Sequence, residues 1–158
     1  MFRTMRRIKN QINTEDAKKL LERERRGVLA VHGDNGYPFA IPVNYYYDVQ
    51  AQKIYFHGAK AGHKVDALKK DDKVCFTVYG NEKHEEGDWA PYLQSVVIFG
   101  RCHLIDDPDK TIEKVRKLAT KYYPNKEEVE MGIQKSIQAT QLYEIEIEHM
   151  TGKQIQEK

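Results

Sequence analysis

From Gly27 to Ile105 the chain reads as one β-like segment after another, with a helical pattern admitted only once. That succession limits the fold more than any single motif does. GVLAVHG (27–33) is a short apolar run, and the Asp34–Asn35–Gly36 triplet after it is a strong hairpin signal. YPFAIPVNYYYD (37–48) returns as the second segment. Its Pro38 and Pro42 have no N–H to give a ladder, which predicts an edge strand or a bulge. KIYFHG (53–58), KVCFTVYG (73–80) and YLQSVVIFGRCHLI (92–105) follow, the last with Gly100 as a candidate bend. The sixth, QLYEIEIEH (141–149), alternates cleanly. Tyr143, Ile145 and Ile147 fall on one side and Glu144, Glu146 and Glu148 on the other, the pattern of a strand with one face in water.

Helical patterns sit at the margins of this set. NTEDAKKLLERERR (13–26) opens on Asn13 or Thr14 as N-cap, with Glu15 and Asp16 in the first turn and an apolar stripe of Ala17, Leu20 and Leu21, and it is expected to stop at Gly27. HKVDALKK (63–70) is a short inserted helix; two more are expected over 107–123, with Pro108 in the first turn, and over 125–138. A doubly wound sheet needs strands and helices in regular alternation, and that alternation is missing. The expectation is one domain over residues 1–158, mainly β (α+β): a six-stranded antiparallel barrel with peripheral helices.

Composition narrows the function classes. The 26 basic and 24 acidic side chains leave a formal charge of +2, which argues against a general nucleic-acid binder. No run approaches the roughly 20 apolar residues that span a bilayer. Arg3, Arg6 and Arg7 are not followed by the apolar stretch of a signal peptide, so the expected location is the cytoplasm. Cys75 and Cys102 lie in β-like segments and are expected to be free thiols. No pair of histidines has metal-ligand spacing with a carboxylate, and there is no CxxC, so no metal site is expected. No G-x-S-x-G elbow is present.

Three stretches can carry chemistry. In IYFHGAKAGHKVDAL (54–68) a strand ends near His57, Gly58 and Gly62 follow, and His63 and Lys64 open a helix. Free helix-start amides with Lys60, His63 and Lys64 around them make an anion site. The same residues also suit a plain strand-to-helix turn with solvated lysines. In AIPVNYYYD (40–48), Pro42 leaves backbone groups free, Asn44 donates and accepts, and Tyr45 to Tyr47 offer aromatic surface. That mixture suits an aromatic heterocycle with a polar edge, and equally a tyrosine-rich dimer seam. SVVIFG (95–100) reads as a core strand with Ser95 its only polar handle.

Taken together, IPVNYYYD, KIYFHGAKAGHKVDALKKDDKVCFTV and YLQSVVIFGRCHLI resemble the pyridoxamine 5′-phosphate oxidase-like family of FMN-binding split barrels, closest to its 5-nitroimidazole antibiotic resistance branch. The resemblance runs from about Arg6 to Lys153. It implies a homodimer with FMN at the subunit interface. It places phosphate binding on His63 and Lys64, ring contacts, largely through backbone, on Pro42, Val43 and Asn44 with Tyr45 beside them, and the ribityl chain and ring on His57, Gly58 and Lys60. Ser95 and Val96 would contribute from the partner subunit, and His57 would stand nearest the reactive face as the candidate catalytic residue. The implied function is a flavin-dependent reductase of small planar acceptors, drawing electrons from a donor such as NAD(P)H. The alternatives are a flavin binder without turnover, and a split barrel that uses haem or a deazaflavin. Pyridoxamine phosphate oxidases typically have an arginine where His63 stands, which counts against that oxidation itself.

Overall fold

The computed structural model describes residues 1–158. Helix α1 (Thr14–Arg23) leads into β1 (Arg26–His32), β2 (Pro38–Asn44), β3 (Tyr46–Asp48) and β4 (Lys53–Ala59). Helix α2 (His63–Lys70), β5 (Lys73–Lys83) and β6 (Tyr92–Ile105) come next, then α3 (Pro108–Tyr122), α4 (Lys126–Ser136) and β7 (Thr140–Gln156). The strands form one antiparallel sheet in the order β2-β1-β5-β6-β7-β4-β3. The sheet curls until β2 comes near β4, a split barrel.

The strand count is seven, not six: the 37–48 segment breaks at Tyr45 into β2 and β3, which become the two opposite edges of the sheet. Pro38 and Pro42 lie on an edge as their missing N–H requires. Helix α1 is capped by the Asn13 side chain on the Asp16 N–H (2.8 Å), but it ends at Arg23. Gly27 is therefore not a helix stop. It lies in β1, where the Phe76 ring occupies the space a Cβ would fill. The Gly100 bend is a bulge in the β6–β7 ladder, and a Cβ there would collide with the Glu146 carbonyl oxygen.

One face of the sheet carries the core. Leu29, Val31, Phe76, Val78, Val96 and Ile98 meet Leu20 and Leu21 of α1 and Val65 and Leu68 of α2. A smaller cluster joins Val115 of α3 and Ile133 of α4 to Tyr55 and Leu142. That second layer overturns the expectation that the Glu face of β7 is wholly wet. Glu144 is only 5% exposed, and it accepts from Lys53 (2.9 Å), Lys110 (2.6 Å) and the Tyr55 hydroxyl (2.8 Å). Cys75 and Cys102 are both free, and burial pushes the Cys102 thiol up to about 12.

Candidate functional site

The β4–α2 turn is built by one residue whose backbone admits little else. Gly62 has φ +128°, a region closed to side chains, and it turns the chain straight into α2. The helix start then points Lys64 back at the sheet. Phe56 and Tyr143 face each other across the β4–β7 ladder and stack at 4.6 Å, 4° from parallel. The Lys64 ammonium sits 4.6 Å above the Tyr143 ring and 5.4 Å from that of Phe56. Gly58 makes this approach feasible, because a Cβ at that position would lie 3.0 Å from Lys64 Nζ.

No carboxylate answers this cation. Burial lowers the Lys64 pKa, with only the Cys102 thiol working the other way. His57 lies close enough for the two to interact; burial first, then the Lys64 charge, lowers its pKa and favours the neutral imidazole. Lys64 is a pre-set positive spot on aromatic walls at the split of the barrel; His57, between Phe56 and Gly58 on β4, is exposed and projects to the opposite face of that strand. Lys60 is exposed one turn away.

The remaining residues singled out from the sequence are distributed unevenly. His63 is turned from Lys64 toward the β1–β2 connection: its ring stacks on Phe39 at 4.2 Å and its Nε2 accepts from the Asp34 N–H at 3.3 Å. Pro42 and Asn44 are exposed on β2, and Val43 between them packs inward. Tyr45 is fully buried; its hydroxyl donates to the Leu21 carbonyl at 2.6 Å, and its N–H is taken by the Tyr122 hydroxyl. Ser95 and Val96 point to opposite faces of β6, Val96 into the core and Ser95 into a shallow cleft with Val97, Thr151 and Lys153. The aromatic platform under Lys64 was not anticipated. Phe56 and Tyr143 stand 87 residues apart in the chain, and only the β4–β7 register joins them.

Away from the part of β4 and β7 that α3 and α4 cover, the other face of the sheet has no layer on it. Register aligns Pro42, Val28, Thr77, Val97 and Thr151 in one row, and Ala40, Ala30, Cys75, Phe99 and His149 in the next. None of these residues belongs to either buried cluster. Phe2 stacks on His149 at 4.6 Å and covers one end of the rows. A groove of about 520 Å³ runs from there past Ala30, Pro38 and Cys75.

Comparison with known proteins adds three findings. The family model described as pyridoxamine 5′-phosphate oxidase matches residues 13–154. No curated protein matches. Among solved structures, a provisionally assigned 5-nitroimidazole antibiotic resistance protein from Bacteroides thetaiotaomicron superposes with TM-score 0.76 at 16% identity, over 92% of this chain and 87% of that one. A flavocytochrome from Azotobacter vinelandii gives TM-score 0.73 at 22% identity, over 95% of this chain and 71% of that one. An FAD-binding protein from Mesorhizobium loti gives 0.65 at 20%, over 92% and 96%.

Proposed function

Because the chain belongs to the pyridoxamine 5′-phosphate oxidase family, we propose that it is a flavoprotein: a homodimer that holds the FMN unit of a flavin at the subunit interface and reduces small planar acceptors. The observation that carries this reading is the unpaired Lys64 ammonium on its aromatic platform beside Gly58. A half-buried cation without a counter-ion loses part of its hydration uncompensated, and a phosphate monoester returns the missing charge. The space that Gly58 leaves open suits a close approach of that group.

In this reading Lys64 and the first amides of α2 fix the phosphate, and Lys60 meets its outer oxygens. Exposed Pro42 and Asn44 on the β2 edge flank the ring, where the proline leaves the neighbouring backbone groups to a ligand instead of a ladder. His63 assists indirectly, holding the β1–β2 turn against α2 through Asp34 and Phe39. Ser95 lies on the uncovered face and so reaches the partner subunit's site. A bound flavin supplies hydride and single-electron transfer. His57, kept neutral, can donate a hydrogen bond to an acceptor and relay a proton, giving one from one ring nitrogen as it takes one from water at the other.

The test of turnover is steady-state NAD(P)H oxidation by the flavin-loaded protein with a nitroaromatic acceptor. His57→Ala is expected to keep the flavin and lose about tenfold or more in kcat, within the range general acid catalysis contributes. Full turnover in that variant removes His57 from the chemistry.

A further inference from the structure

The uncovered face is not uniform in charge. Along one margin its cations are answered within the chain: Arg101 donates to Asp72 (2.7 Å) and Glu148 (2.8 Å), and His103 lies 3.1 Å from Glu146. Along the opposite margin they are not. Ser95 pairs with Lys153 and Val97 with Thr151 across the β6–β7 ladder, and these four side chains, with Arg3 and Phe99, line a cleft of about 210 Å³. No carboxylate lines it. Lys153 and Arg3 make no salt bridge, and the Ser95 and Thr151 hydroxyls make no hydrogen bond within the chain.

An ammonium, a guanidinium and two hydroxyls with no carboxylate among them form a donor set for an oxyanion such as a carboxylate. Val97 and Phe99 add apolar and aromatic surface on the same side of β6 as Ser95, since residues two apart on a strand share a face. The cleft is smaller than the roughly 300–1,000 Å³ that takes a whole drug-sized ligand, so it suits the acidic end of a ligand and the ring that bears it. Paired residues in an antiparallel ladder lie about 4.5–5.5 Å apart, so Lys153 reaches what Ser95 reaches. On the flavin reading, that is the partner subunit's site. A second subunit laid over the face removes water from the cleft and strengthens the attraction between its cations and an anion. In the same reading Lys64 already meets the phosphate, which leaves this second positive set to a different anion.

We propose that the acceptor reduced at the flavin is an aromatic carboxylate, and that Lys153 and Arg3 of the second subunit bind its acid group, with Ser95 donating a hydrogen bond to it. This rests on the flavin reading above and narrows its substrate class from any small planar acceptor to anionic ones. The aromatic body of such an acid matches Val97 and Phe99, and its charge matches the margin of the face that the chain leaves unneutralised.

The experiment titrates the flavin-loaded full chain, without reductant, with para-nitrobenzoate and with the neutral para-nitrobenzamide, reading heat and the flavin absorbance band together. The acid is expected to bind at least about tenfold more tightly than the amide, the worth of one charge-assisted hydrogen bond, and to shift the flavin band. Lys153→Gln should bring the acid down to the level of the amide, and Lys153→Glu should reverse the preference. Arg3→Gln should cost the acid a smaller part of its advantage. Equal affinities in the parent protein, a preference that survives Lys153→Glu, or an acid that binds without shifting the flavin band would overturn the assignment and leave the flavin reading standing. Heat of acid binding in a protein that takes up no flavin would keep the carboxylate cleft and remove the flavin reading, and with it the acid's role as acceptor.

Discussion

Lys64 carries a charge that the folded chain does nothing to neutralise, and this sets it apart from the other partly buried lysines. Lys114 is paired with Asp48 at 2.9 Å, and Lys121 donates to the Glu24 and Tyr45 carbonyls. Lys64 has only ring faces. Two consequences follow for Lys64→Met. Flavin affinity should fall about tenfold to a hundredfold, the cost of a lost charge-assisted hydrogen bond of roughly 1.5–3 kcal/mol. The flavin-free protein should melt no lower than the parent, because the variant removes a desolvated charge and keeps the stem against the rings. A calorimetric scan beside a binding titration reads both. Gly62→Ala should lose at least about 1 kcal/mol of stability, since its φ of +128° strains any L side chain, and should weaken flavin binding by loosening the start of α2. At this scale the sequence was informative about residue types near the phosphate position and silent about direction. His63 and Lys64 are adjacent in the chain, yet one faces the hairpin and the other the platform.

Among the elements, β7 best separates what alternation can and cannot reveal. Its Tyr143 and Ile145 are buried as the period-2 pattern requires, and Glu146 and Glu148 are exposed. Glu144 departs because α3 lies over that part of the strand and brings Lys110, 34 residues back in the chain, onto its carboxylate. Alternation reports which side a residue takes and not what covers that side. Burial alone would raise the Glu144 pKa, but hydrogen bonds from Lys110, Lys53 and Tyr55 outweigh it and hold the carboxyl down to about 2. A folded-state pKa below the unfolded value means stability that is complete above about 4.5 and is lost as pH falls toward 2. The loss should be on the order of 3 kcal/mol, read as a fall in denaturation midpoint between these two pH values. Glu144→Gln should flatten that part of the profile and, by stranding two ammonium groups, lower stability at pH 7.

On the scale of the whole molecule, the antiparallel class, the proline-marked edge and the Gly100 bulge were legible from turn signals and from glycine and proline positions. The strand order was not. Pairing β4 with β7 joins segments separated by three helices and two strands, and nothing local to either segment encodes it. Nor was the uncovered face visible, because Val28, Ala30, Cys75 and Val97 come together only when β1, β5 and β6 are set in register. That face is where the proposed second subunit packs. Val97→Asp places an unpaired charge at its centre and should give a folded monomer that no longer retains flavin. A Val97→Asp protein that stays dimeric on gel filtration would move the interface elsewhere.

The most direct test is the absorbance spectrum of the purified protein across a gel-filtration peak, before and after addition of flavin. The account predicts flavin bands that follow the protein at the size of a dimer, and their loss in Lys64→Met. A protein that stays colourless after FMN and FAD are both added, or that carries a haem band in their place, would contradict it.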